Sequence, residues 1–279
     1  MKISVITIAF NSEKYITECI KSIKQQTYKN FEHIILDCGS SDNTLQKIKS
    51  QQYKNLKLIT YKKCGLSEAR NYAINKSKGD IIAILDSDDI STKKRLAKTK
   101  EIFKKNKKLA LLGAEIKTFG ARKNWKIQNL EEKHLKFLLN SGITPFAHST
   151  TAFTRKAYVR GRGYSSCARK CEDFDLFLKI SQNGEIKKTP EVFGLKRIHD
   201  QSHSFQKNPQ LENFYILQSL NSIRKQKWKI SKKNFKSIFI KNFCFQVFSF
   251  RKNISLSFAF FLIRCIYFKI KMYFSSVKL

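Results

Sequence analysis

Four stretches of the chain are apolar, rich in β-branched residues and bounded by polar or small ones: residues 3–10, 31–36, 56–61 and 80–85. Short runs of this kind read as strands. The run at 80–85 is apolar at every position after Asp80, which marks a central strand covered on both faces. Between them the period changes. Residues 13–26 place Tyr15, Ile16, Cys19, Ile20 and Ile23 at helical spacing, residues 44–50 form a second helix, and residues 66–78 a third that Gly79 ends. Asn11-Ser12 is expected to cap the first helix, and Ser41 or Asp42 the second. Strands alternating with helices predict an α/β fold with a mostly parallel central sheet and helices on both faces. Further on, Lys-rich helices flank a strand at 109–116, another strand is expected at 149–154, and residues 172–180 read as a helix with acids in its first turn.

In such sheets ligands bind beyond the carboxyl ends of the strands. The residues there are Phe10-Asn11, Asp37 and Asp86-Ser87-Asp88-Asp89. Three carboxylates crowded at the end of an apolar strand repel one another unless a cation sits among them, and a hard divalent ion takes oxygen ligands. A solvated turn with a helix cap at Ser91 or Thr92 is the plainer alternative. Asp37-Cys38-Gly39-Ser40-Ser41-Asp42 places a carboxylate at the sheet mouth, where it suits a base imide or ribose hydroxyl; a capped strand-to-helix turn accounts for it equally. Arg70, in the first turns of its helix, is within reach of a phosphate or base, or is a surface residue.

Taken in order and spacing, these segments resemble glycosyltransferase family 2, which has the GT-A fold. The resemblance is clearest from Lys2 to Asp89 and resumes between His148 and Ser204. It implies that Phe10, with Asn11 beside it, packs on a nucleobase, that Asp37 contacts the base, and that Arg70 of Ala69-Arg70-Asn71 lies near the nucleotide. Asp86 and Asp88 match the Asp-X-Asp motif, with Asp88 ligating Mn2+ or Mg2+ on the diphosphate and Asp86 near the ribose or metal; the role of Asp89 is less defined. Glu172-Asp173 matches the family's Glu-Asp pair, with Asp173 the catalytic base and Glu172 orienting base or acceptor. His199 falls where a His lies near the diphosphate, and His148 before the strand at 149–154 is a candidate for the acceptor side. The activity implied is an inverting transfer of a hexosyl or N-acetylhexosaminyl unit from a nucleoside diphosphate sugar to a hydroxyl, with uridine the expected base and thymidine, which Asp37 would also suit, its alternative.

Composition alters this picture at one end. Lys+Arg number 55 against 21 Asp+Glu, a formal charge of +34, which calls for a polyanionic neighbour. The last acid is Glu212, and eleven of the 23 Phe follow Ile230. A catalytic domain over 1–205 and a basic, Phe-rich helical tail over 206–279 are therefore expected. Phe235, Phe239, Phe243 and Phe250 fall near one helical face, and the apolar stretch 254–268 is short for a membrane span and holds Arg264. Such a tail fits an anionic membrane interface, with packing on the catalytic domain as its alternative. A cytoplasmic protein, peripheral at the inner face of the cell membrane, with a lipid-linked or surface-glycan acceptor, follows from that reading. The seven Cys lack zinc-site spacing and read as free thiols. A nucleic-acid-binding protein would match the charge but not the acids at strand ends, so no nucleic-acid partner is expected. A sugar nucleotidyltransferase would need a Gly-rich, basic loop after the first strand, and Ala9-Phe10-Asn11-Ser12-Glu13 is not one.

Overall fold

The computed structural model describes residues 1–120, 130–168 and 170–199, with Ile216 and Ser219 beyond them. Its first half is the predicted alternation: β1 (Ile3–Ala9), α1 (Ile16–Lys24), β2 (Phe31–Asp37), α2 (Thr44–Ser50), β3 (Leu56–Thr60), α3 (Leu66–Asn75) and β4 (Ile81–Ile84). The strands lie parallel in the order β3-β2-β1-β4, with Ile6 opposite both Ile34 and Ile84. Alternate residues serve opposite faces, as the two-residue period of a strand requires. Ile6, Ile34, Ile82 and Ile84 pack with Ala69, Ala73 and Ile74 of α3, whereas Ile3, Val5, Ile81 and Ala83 pack with Cys19 and Ile23 of α1. Each buried Ile or Val among them contributes about 1.5–3 kcal/mol. All four residues of β4 are buried, as its unbroken apolar run predicts.

The second half makes the sheet mixed. After β5 (Ile90–Ser91) come α4 (Arg95–Lys105), β6 (Leu109–Gly120), α5 (Glu132–Asn140), a 3-10 turn (His148–Thr150), β7 (Ala152–Thr154), α6 (Arg155–Arg160), α7 (Glu172–Asn183) and β8 (Glu185–Ile198). The whole sheet has eight strands in the order β3-β2-β1-β4-β7-β6-β8-β5, with β7 and β5 reversed and β6 and β8 running with the first four strands. β7 is antiparallel to both neighbours and joins the halves through three pairs, Ile81↔Thr154, Ile82↔Phe153 and Ala83↔Ala152. Two arginines rivet this seam. Arg95, 1% exposed, donates from Nη2 to the carbonyls of Ile84 (2.6 Å) and Thr151 (3.2 Å). Arg155 donates to the carbonyls of Gly79 (2.8 Å) and Ile74 (3.2 Å) and to Ser77 Oγ (2.6 Å).

Several expected boundaries shift. α1 begins at Ile16 rather than at 13: the Ser12 carbonyl accepts the N–H groups of Tyr15 and Ile16 in a turn, while Asn11 sits at φ 47° facing another loop. Asn11-Ser12 is therefore not the helix cap. Asp42 does accept the Thr44 N–H through Oδ1. The strand expected at 149–154 shortens to Ala152–Thr154, because Thr150 Oγ1 turns back to the Ala147 carbonyl and the preceding residues wind into the 3-10 turn. Neither Ser91 nor Thr92 caps α4; Ser91 lies in β5 and Thr92 Oγ1 donates to the Val192 carbonyl. Ile216 is buried and belongs to the same hydrophobic cluster as Phe174 and Phe177 of α7. The basic Phe-rich tail otherwise lies outside the described residues, and among those described no helix is long and apolar enough to cross a membrane.

Gly79 is where backbones meet most closely. A Cβ there would lie 2.4 Å from Ser4 Oγ and 2.5 Å from Ser4 N, both held at the start of β1. Gly79→Ala is expected to cost about 2 kcal/mol or more by forcing the two chains apart. Urea unfolding monitored by circular dichroism would measure it, and an unchanged midpoint would contradict the close packing.

Candidate active site

The carboxyl ends of β1, β2 and β4 open on one side of the sheet. Phe10, just past β1, is 45% exposed, and the Lys63 ammonium lies 5.5 Å from its ring centroid. Asn11, whose short polar side chain tolerates a positive φ, receives the Ser41 N–H on Oδ1 at 2.9 Å and donates its own N–H to Ser40 Oγ at 3.0 Å. This ties the β1 exit to the β2 exit. Asp37, 3% exposed, accepts the Gly39 and Ser40 N–H groups on Oδ2 and the Ser40 hydroxyl on Oδ1. Its carboxylate thus shapes its own turn, for which Gly39 takes φ 75°.

Asp86 and Arg70 meet behind this wall. Arg70 is buried, and its Nη2 lies 3.9 Å from Asp86 Oδ1 while Nη1 donates to Glu172 Oε1 at 2.7 Å. Its guanidinium sits 5.5 Å from the Tyr164 ring centroid. One guanidinium therefore joins the acid after β4 to the acid that opens α7, 86 residues later in the chain. Beside Glu172, Asp173 accepts the Phe174 N–H on Oδ1 at 2.7 Å. Burial raises the Asp86 pKa; Arg70 opposes this and Asp88 adds to it.

Asp88 and Asp89 are held by the end of β8. Asp88 Oδ2 is 3.0 Å from His199 Nε2, and the Asp88 carbonyl accepts Arg197 Nε at 3.2 Å. Asp89 is 1% exposed, and its Oδ1 accepts the Arg197 N–H at 3.1 Å. Burial, reinforced by Asp86 and Asp88, pushes its carboxyl up to about 7. The Arg197 guanidinium lies between the rings of Tyr15 (4.7 Å) and Phe119 (4.5 Å) and pairs with Glu18 at 2.7 Å. Below the acidic turn, burial pulls Arg95 down to about 10, opposed by Asp89 and Asp86.

The structure thus gathers Asp86, Arg70 and Glu172 into one network and Asp88, Asp89 and His199 into an adjoining one. His148 stands apart in role: its Nε2 lies 2.9 Å from the Tyr164 hydroxyl, and burial first, then Arg70, Lys196 and Arg95, keeps its pKa well below the usual value. It packs as a neutral ring against Tyr164 and Phe177. Sequence reasoning missed Arg197, Tyr164, Tyr15 and Arg95. Arg197 had a signal: it shares a strand face with His199, two residues on. Among the described residues no three His, Cys, Asp or Glu side chains converge as a complete metal cage.

An open sheet with acids at its parallel mouth and an antiparallel strand beyond it is the GT-A architecture. The chain belongs to glycosyl transferase family 2, whose family model matches residues 4–162. Escherichia coli chondroitin synthase is 28% identical over 82% of the chain, which spans only 34% of that protein's length. An Escherichia coli enzyme named UDP-Glc:alpha-D-GlcNAc-diphosphoundecaprenol beta-1,3-glucosyltransferase WfgD is 28% identical over 77% of this chain and 90% of its own. Among solved structures, residues 1–349 of S. aureus TarS in complex with UDP-GlcNAc superpose with a TM-score of 0.69 at 20% identity, covering 92% of this chain and 77% of that one.

Proposed function

We propose that this chain transfers a sugar from a uridine diphosphate donor to a hydroxyl of a lipid-linked or surface-glycan acceptor, with inversion at the anomeric carbon. The observation that carries it is the Arg70 bridge, which fixes the donor-side acid Asp86 and the acceptor-side acid Glu172 in one frame. The names of WfgD and of the TarS complex support a uridine donor.

Exposed Phe10 offers a face for the nucleobase, and Asn11 and Asp37 build the turn that edges it. Asp88 and His199 present an oxygen and a nitrogen 3.0 Å apart, with Asp86 alongside. Buried Asp89 adds a third carboxylate to the turn, close enough to Asp86 and Asp88 to feel both charges. This donor set fits Mn2+ or Mg2+ held by one or two carboxylates and completed by diphosphate oxygens, rather than by protein alone. Such a cation would stabilise the charge that develops on the departing diphosphate. Asp173, at the first turn of α7, takes the proton from the acceptor hydroxyl as its oxygen bonds to the anomeric carbon and the bond to the diphosphate breaks. Glu172, held by Arg70, orients that hydroxyl.

A thermal-shift panel of nucleoside diphosphates with and without Mn2+ tests the reading. A ligand selective for the native state adds about 2.7 kcal/mol at a hundred times its dissociation constant. Stabilisation by uridine diphosphate that depends on Mn2+ is expected; no shift with any nucleotide in folded protein would overturn the donor site.

The tail beyond Leu220 supplies attachment to anionic membrane in this reading, and holds the enzyme at the inner membrane face. The full chain is expected to sediment with phosphatidylglycerol vesicles and to be released by salt, each basic residue contributing about 1 kcal/mol. A chain ending after Leu220 keeps the buried Ile216 and should stay in the supernatant. Equal sedimentation of both would refute the attachment.

A further inference from the structure

Two loops that wall the nucleobase side each carry a cysteine, and the thiols face one another. Cys38 Sγ lies 3.9 Å from Cys64 Sγ. Cys38 is buried, Cys64 partly exposed, and both are free thiols. The loops are already knit together: the Tyr61 N–H donates to the Asp37 carbonyl at 2.9 Å, and a Cβ on Gly39 would lie 3.4 Å from Lys63 N. Cys38 directly follows Asp37, and Lys63, beside Cys64, covers the ring of Phe10. We propose that Cys38 and Cys64 form a dithiol pair that closes to a disulfide and so resets the wall of the nucleobase pocket.

A disulfide has S–S of about 2.05 Å, so the sulfurs must approach by roughly 2 Å. Side-chain rotation supplies part of this and the loop at 61–64 the rest. Space is open on the far side of that loop, where a side chain on the adjacent Gly65 would meet nothing within 4 Å. The oxidant is a low-molecular-weight disulfide. The thiolate of the more accessible Cys64 attacks one of its sulfurs, that S–S bond breaks, and one small thiolate leaves. Cys38 then gives up its proton, its sulfur attacks that of Cys64, and the second small thiolate leaves. Two protein thiols are oxidised and one small disulfide is reduced to two thiols. Burial raises both thiols, Cys38 to about 12, so closure is slow at neutral pH and quickens as pH rises.

The effect on the pocket rests on the uridine-donor reading; the bond does not. Full-length protein is incubated with oxidised glutathione at mildly alkaline pH, alkylated, digested and analysed by mass spectrometry. A Cys38–Cys64 linked peptide is expected, two hydrogens lighter and lost on reduction. Uridine diphosphate affinity, measured with Mn2+, should fall roughly fivefold or more in the linked form and recover with dithiothreitol. By reciprocity the nucleotide should lower the linked fraction at equilibrium with a fixed ratio of oxidised to reduced glutathione. Cys38→Ser and Cys64→Ser should each abolish the link and the affinity change. Glutathione adducts without the link, or a link through exposed Cys167 instead, would overturn the pair; a link that leaves affinity unchanged would overturn its effect on the pocket. If the link forms but uridine diphosphate binds neither form, the donor reading falls and the dithiol pair stands.

Discussion

Asp88→Asn is expected to abolish the Mn2+-dependent part of nucleotide binding and to slow transfer by about two to three orders of magnitude. Asn keeps the size of the side chain and an oxygen to face His199 Nε2, now 3.0 Å from the carboxylate, but removes the charge. The packing of the turn should survive, because the Asp88 carbonyl still takes Arg197 Nε and Asp89 still takes the Arg197 N–H. The loss therefore reports on a cation and the leaving diphosphate, not on folding. Thermal shifts with uridine diphosphate, with and without Mn2+, separate the two. A variant that keeps the full Mn2+-dependent shift would remove Asp88 from the ligand set.

Asp173→Asn should leave that shift intact and lower turnover by roughly two to four orders of magnitude. Asp173 Oδ1 receives the Phe174 N–H at the start of α7, and an amide oxygen accepts the same bond. The helix thus keeps its first turn while the side chain can no longer take a proton. Glu172 is a separate case: it is bound to Arg70 at 2.7 Å, so its replacement would also free a buried guanidinium and disturb Asp86. Single-turnover kinetics with saturating donor would read the chemical step, and near-normal turnover in Asp173→Asn would move the base elsewhere.

The parallel half was legible because each strand is an apolar run with its own stop, and strand ends in such a sheet face the ligand. The mixed half was less so. β8 carries Lys187 and Lys188 near its start; Lys188 is nonetheless buried, satisfied by Glu115 at 2.9 Å on the neighbouring strand. The pairing between β6 and β8 also slips on either side of Glu115, which breaks the alternation that marks a strand. Arg95 carries no local mark in a Lys-rich chain, since only the fold shows its guanidinium against the carbonyls of Ile84 and Thr151. For the site, sequence order named Arg70, Asp86 and Glu172 separately. That a single side chain joins them depends on how α3 and α7 cross the sheet, which no local pattern encodes.

The seam between the halves bears on cooperativity. Three residue pairs are a short ladder for a protein whose proposed donor-side acids follow β4 and whose proposed base follows β7. The halves are also joined by two hydrophobic clusters that each draw on both, and by the Arg70–Glu172 pair. To these the two guanidinium groups add fixed fastenings of β4 and the end of α3 to the chain on either side of β7. Arg155→Met, which keeps the stem and removes the fork, should therefore loosen the coupling: a lower and broader calorimetric transition is expected, and an unchanged one would deny Arg155 that part.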